Sequence, residues 1–165
     1  MILYHGTNMY FDKIDLSKCM PYKDFGQGFY LTNIREQAYD MAKRKSRRFG
    51  NPIIHTYQID DMILQGEGDC KVLKFEEPNE EWAEFILSNR EQTNPPFEHS
   101  YDIVIGPVAD DGVAYILNRY LEGSFSMEDV VKGLRYSKLN NQIFFGTYKA
   151  IKHLYRIDYD KITTT

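Results

Sequence analysis

Asp24-Phe25-Gly26-Gln27-Gly28-Phe29-Tyr30-Leu31-Thr32 is the stretch on which the reading of this chain turns. Two glycines one residue apart run straight into an aromatic, apolar triplet, and a helical pattern opens directly after it. Glycine serves where a turn needs positive φ or where another group must come close to the backbone. An exposed turn has no use for Phe25, Phe29 and Tyr30 around it. Two readings therefore stand side by side: a tight loop feeding a buried strand, or a ligand cleft with Tyr30 as one wall. Gly26-x-Gly28 lacks the third glycine and the preceding strand of a dinucleotide fingerprint. The tripeptide Asp24-Phe25-Gly26 has no kinase catalytic loop or glycine-rich loop to go with it.

Outward from this stretch, residues 1–4 read as a short apolar strand that turns at His5-Gly6-Thr7-Asn8. Asn33 with Glu36 makes a capping box for a helix carrying Ile34, Ala38, Met41, Ala42 and Phe49, stopped at Gly50-Asn51-Pro52. Its second half, with Lys43, Arg44, Lys45, Arg47 and Arg48, is strongly basic. That fits a solvated helix C-terminus or a patch that meets phosphates. Residues 53–59 form a β-branched strand and 71–75 a half-exposed one. Pro78 opens a helix with Trp82, Phe85 and Ile86 on one face. Residues 101–105 are the most convincing central strand, followed by Asp110-Asp111 and a stripe of Val113, Ile116, Leu117 and Tyr120. Ser126 with Asp129 caps a further helix, residues 143–145 form the last strand, and Thr147 caps a closing helix through Leu154. The strands follow no regular βαβ rhythm, which predicts an α+β fold in one domain spanning residues 1–165.

A chain of 165 residues with 42% hydrophobic and 27% charged residues is an ordinary globule, able to bury roughly two-thirds of its unfolded surface. The net charge of −4 argues against non-specific binding to nucleic acid. No apolar stretch approaches the ~20 residues of a membrane span, and the start does not resemble a signal peptide, so a cytoplasmic protein without a membrane partner is expected. Cys19 and Cys70 are far apart and expected to be free thiols. The four histidines have no ligand spacing, so no metal is expected. A cysteine hydrolase using Cys70 with His55 or His99 rests on inventory alone, because neither cysteine has an activating context.

Three separated polar signals remain at or beside strand ends: His5-Gly6, Tyr30 with Thr32, and Gln142. An imidazole can bond a ribose hydroxyl, and a glycine backbone can pair with both ends of a carboxamide. A tyrosine ring can stack on a pyridinium, and a side-chain carbonyl can accept a bond from the ribose 2-hydroxyl where cationic character develops. Such a set suits a ribosyl nicotinamide. Singly, His5 is equally a loop residue and Gln142 an ordinary strand residue.

Together with Leu-Tyr-His-Gly-Thr at residues 3–7, Tyr-Asp-Ile-Val-Ile-Gly-Pro-Val-Ala-Asp-Asp at 101–111 and Asn-Asn-Gln-Ile-x-Phe at 140–145, the opening stretch resembles the ADP-ribosyltransferase superfamily. The resemblance is to its branch with a His-Tyr-(Glu/Gln) signature, and within it to the bacterial domain-of-unknown-function 3990 family over nearly the whole chain. It implies two small, roughly perpendicular antiparallel sheets around a central cleft, with helices outside. It implies NAD as co-substrate, with His5, Tyr30 and Gln142 as the catalytic set. His5 would hold a ribose, Gly6 the carboxamide and Tyr30 the nicotinamide ring, and Gln142 would stand where many relatives place a glutamate. Thr7, Gly28 and Thr32 would complete the NAD-binding set, and Met41, with Tyr39 nearby, falls where a second aromatic wall is usual. An amide cannot act as a base, so Asp110 or Asp111 is the candidate acid/base, though Asp-Asp before a helix is equally an N-cap. The implied activity is ADP-ribosyl transfer from NAD to an acceptor, protein or nucleic acid, by a toxin paired with a small antitoxin protein. The alternative is a silent NAD- or ADP-ribose-binding module.

Overall fold

The computed structural model describes residues 1–109, 111–134 and 140–162, apart from the side chains of residues 111 and 134. Among the described residues, seven strands form two sheets. The first holds β1 (Ile2–Thr7), β3 (Ile53–Gln58) and β7 (Tyr155–Lys161) in the order β1-β3-β7, all antiparallel. The second holds β2 (Phe29–Leu31), β6 (Asn141–Phe145), β5 (Ile103–Pro107) and β4 (Val72–Lys74) in the order β2-β6-β5-β4. Its β4–β5 pair is parallel, so this sheet is mixed and not purely antiparallel as expected.

Strand alternation sorts the core into two layers. Phe29 and Leu31 of β2, Ile103 and Ile105 of β5, and Ile143 and Phe145 of β6 meet Leu3, Tyr57 and Ile59 from the first sheet. The residues between them, Tyr30, Val104 and Phe144, face the other way, onto Trp82, Ala83 and Ile86 of α3 (Glu80–Arg90) and Val113 and Leu117 of α4 (Asp111–Leu121). Val130 of α5 (Met127–Leu134) joins the same layer. On the outer face of the first sheet lies α1 (Arg35–Ser46), with Ala38 and Ala42 buried against β1. Small helices at Asp61–Leu64 and Tyr148–Ile151 complete the set of six among the described residues. The α+β class read from the sequence is the observed one, and none of these helices is long and apolar enough to cross a membrane.

Several local expectations change. The first strand does not turn at His5-Gly6 but runs on through Thr7, paired to β3, and α3 is capped by Asn79 and not opened by Pro78. No side chain of Asn33 caps α1; the cap residue is Ile34, and Thr32 Oγ1 accepts from the Ile34 N–H while donating to Gln37 Oε1. Phe49 lies beyond the helix and is exposed, because the chain turns out at Gly50 before another apolar turn can form. The closing helix is one turn long, and β7 follows it. That strand alternates weakly and is largely exposed, so it carries little apolar signal and is held by pairing to β3.

Candidate functional site

The site is built where β1 and β2 meet. Tyr4 N–H donates to Thr32 O at 2.8 Å and Thr32 N–H to Tyr4 O at 3.0 Å, and among the described residues this bridge joins the two strands and no ladder continues it. Successive residues of an antiparallel strand turn their backbone groups to alternate edges. Gly6, two residues beyond Tyr4, therefore points its N–H and C=O into the gap beside β2. From α1, Lys45 Nζ donates to Gly6 O at 3.1 Å. Met41, four residues before Lys45, is on the same side of the helix.

His5 spans the gap from below. One ring nitrogen, Nδ1, lies 2.7 Å from Tyr30 O, and the ring stacks on Phe29 with centroids 4.3 Å apart. A carbonyl can only accept, so Nδ1 carries the proton and Nε2 is left as an acceptor. Burial, and after it the Lys45 ammonium, hold the imidazole down to about 3 from 6.5. Between these values the folded protein keeps the ring neutral while the unfolded chain takes up a proton. Stability is therefore expected to fall as pH drops through that window, by up to about 1.4 kcal/mol per pH unit. Urea unfolding at about pH 7 and about pH 5 should show a shallower loss in His5→Gln than in wild type. His55 and His99, also lowered by burial, keep some slope in the variant; equal slopes in the two proteins would refute the assignment.

Tyr30 is turned to the opposite face of β2. Its hydroxyl donates to Gly26 O at 2.8 Å and accepts from Phe25 N–H at 3.0 Å, so both of its hydrogen-bonding roles are taken up by the loop. Burial pushes the phenol well above its usual range. What Tyr30 can offer a ligand is its ring. Gln142 lies on the same face, two residues from Phe144, which pairs with Tyr30, and its Nε2 donates to Asp24 Oδ2 at 2.8 Å.

Asp24-Phe25-Gly26 is the piece that ties these together, through the Asp24 carboxylate and the backbone groups of Phe25 and Gly26. Asp24 Oδ1 accepts from Arg90 Nε at 2.9 Å and Nη2 at 2.6 Å, and Oδ2 also accepts from Ala109 N–H at 3.1 Å. Phe25 O accepts from His99 Nε2 at 2.8 Å, a direction fixed because His99 Nδ1 accepts from Tyr101 N–H. Gly26 sits at φ +95, the left-handed turn that favours glycine. Asp24 and Arg90 are not among the candidate residues read from the sequence, and His99 appears there only as a partner of Cys70. Asp24 was in plain view within the opening motif, but nothing in Asn89-Arg90 marks an arginine that folds back across 66 residues.

The other predicted residues divide. Gly28 packs against the Phe144 ring and Phe145 O, and a Cβ there would overlap both. Thr7 is buried, and Thr32 serves as the α1 start. Asp110 lies outside the described residues and Asp111 is described only as the first residue of α4. Tyr39 lies under Lys43 Nζ, and Arg44 donates to Met41 Sδ, so part of the basic run is occupied within its own helix. Two surface hollows, one beside Met1 and Asp61 and one beside Lys43 and Asn51, lie away from the β1–β2 gap.

The cysteine-hydrolase alternative is not assembled. The ring neighbours of His55 are Tyr10, Phe11, Tyr57 and Tyr159, and those of His99 are Phe85, Tyr101 and Phe144. Cys70 instead lies by Asp69 and His153, with ligand atoms within 4.8 Å of one another, and Asp69 pairs with His153 at 2.8 Å. Burial and the Asp69 charge push the Cys70 thiol up to about 11, the opposite of activation.

With this geometry in place, the profile of the family described as "Protein of unknown function (DUF3990)" matches residues 1–155. The chain belongs to the DUF3990 family. The matched span covers both sheets up to the start of β7, and with them every residue of the β1–β2 gap and of the Asp24 cluster. No curated protein and no solved structure matches this DUF3990 chain.

Proposed function

We propose that this protein is an NAD-dependent ADP-ribosyltransferase, and that the gap between β1 and β2 receives the nicotinamide end of NAD. The observation that carries this is the strand edge at Gly6, which no second strand pairs among the described residues and whose carbonyl Lys45 holds, with His5 bridging across to the backbone of Tyr30. The donor set fits the group. Gly6 N–H and C=O match the two ends of a carboxamide, His5 Nε2 can accept from a ribose hydroxyl, and the Tyr30 ring offers a stacking face. Alternation places His5 on one face of β2 and Tyr30 and Gln142 on the other, so a ligand meets all three only by lying across the gap. Two small sheets set roughly perpendicular about this cleft would complete the superfamily's arrangement.

NAD would supply an ADP-ribosyl group whose bond to nicotinamide breaks with its electron pair going to the ring nitrogen, while C1′ takes a lone pair from the acceptor and the acceptor's proton passes to water. The chain's part is orientation: Gly6 holds the leaving ring, His5 the ribose, and the Gln142 carbonyl accepts from a ribose hydroxyl near C1′. The acceptor is a protein or a nucleic acid, and a small antitoxin protein is its natural partner in this reading.

Incubation with isotope-labelled NAD and cell extract tests the activity, with label transfer and nicotinamide release expected. Tight NAD binding without turnover would favour the silent binding module, which the absence of a carboxylate at Gln142 supports. Lys45 supplies a sharper check. Its ammonium occupies the carbonyl that the carboxamide needs, so Lys45→Met should tighten nicotinamide itself by about 2- to 10-fold, the net worth of one hydrogen bond. Unchanged or weaker nicotinamide binding in a calorimetric titration would move the ligand elsewhere.

A further inference from the structure

We infer that Asp24 is a positioning residue that fixes Gln142 with its carbonyl toward the cleft, and that this site is built for a glutamine and rejects a glutamate. The inference rests on the function proposed above only for what the carbonyl then does. Asp24 is buried, and among the described residues its carboxylate meets donors alone: the Gln142 amide, the Ala109 N–H, and two nitrogens of Arg90. A carboxylate accepts and cannot donate, so the end of Gln142 that meets it at 2.8 Å must be the NH2. Arg90 grips Asp24 through two nitrogens of one planar fork and also bonds Ala109 O at 3.1 Å, so the carboxylate cannot turn away. Oε1 of Gln142 is thereby held pointing away from Asp24 as an acceptor. It can take a bond from a ribose hydroxyl and cannot take up its proton.

The consequence for a glutamate is direct. Gln142→Glu sets a second carboxylate oxygen where the NH2 now lies, and two like charges that close are tolerated only by sharing a proton. A glutamate cannot simply be introduced here. Asp24→Asn fails for the opposite reason, because every group that the described residues bring to the carboxylate at position 24 is a donor and the new NH2 must face one of them. Making both changes at once returns one donor and one acceptor to the contact. The Ala109 N–H loses its acceptor in that protein, so recovery is incomplete.

The experiment compares wild type, Asp24→Asn, Gln142→Glu and the double variant in the full chain. Urea midpoints are followed from about pH 8 to about pH 5, and nicotinamide release from NAD is read as kcat and KM. Gln142→Glu should be destabilised at high pH and recover as pH falls, while the double variant lacks that recovery because its contact is already paired. Asp24→Asn should lose about 100-fold in kcat with KM for NAD little changed, as expected of a misdirected group, and the double variant should regain part of it. A Gln142→Glu protein as stable as wild type at high pH, or Asp24→Asn with wild-type kcat, overturns the proposal. The pH pattern without any NAD turnover in wild type keeps the Asp24–Gln142 pairing and overturns both the transferase function and the role in it.

Discussion

Gly6→Ala is expected to destabilise the protein by about 3 kcal/mol or more, at the top of the range for overpacking. A Cβ on Gly6 would overlap the carbonyl oxygen of Ala38, lie 2.8 Å from its carbonyl carbon and 2.9 Å from the Ala42 nitrogen. All three are backbone atoms of α1, so no rotamer change relieves them and the whole helix must move off β1. Lys45 would move with it, and the mouth of the gap would change shape. Gly66→Ala is the natural control. Its φ is +83, but nothing lies within 4 Å of the added carbon, so only the conformational penalty of about 1 kcal/mol is expected there. Urea titration followed by far-ultraviolet circular dichroism measures both. Equal losses at the two positions would mean that α1 does not pack on Gly6 as described. The residue thus has a packing duty that is independent of any ligand, whereas the sequence reads it as a turn glycine or a ligand contact.

Arg90→Ala should cost about 3 kcal/mol, the lower end for breaking a buried ion pair from one side. The arginine side chain keeps 28% of its surface exposed while Asp24 keeps 12%, so removing the guanidinium strands a carboxylate that water reaches poorly. Two bonds to Asp24 and one to Ala109 O are lost together. The loss belongs to the stranded charge more than to the pair. Arg90→Met combined with Asp24→Leu should therefore recover at least half of it, since no uncompensated charge remains. A double-mutant cycle in urea reads this coupling. A single Arg90→Ala loss below about 1 kcal/mol would place the pair among exposed surface bridges. The same variant should loosen the 24–26 loop, and with it the Tyr30 hydroxyl that the loop holds.

These two contacts show where sequence reading reached and where it stopped. The strands at β3, β5 and β6 were legible because each carries β-branched or aromatic residues on both faces, as strands buried between two layers must. Trp82 and Ile86 were legible as one helix face for the same reason of period. The exposed β7 was not legible, since pairing to β3 and not burial makes it a strand. Among the candidate residues, His5, Tyr30 and Gln142 were identifiable by type and by motif. Their directions were not, because a one-residue alternation decides which face of its own strand each occupies, and the motif does not state the register.

The sequence by itself determined an α+β globule, a glycine-rich turn feeding a buried aromatic strand, and the residue types of a candidate site. These follow from local rules: period, turn chemistry and the burial of apolar side chains. Only the tertiary structure decided that Asp24 would meet the Ala109 N–H, that Arg90 would cross 66 residues to pair with it, and that Gln142 would be held amide-first against it. Such contacts form between groups far apart in the chain, where a hydrogen bond depends on direction within a fraction of an ångström, and no pattern of neighbours along the sequence encodes that direction.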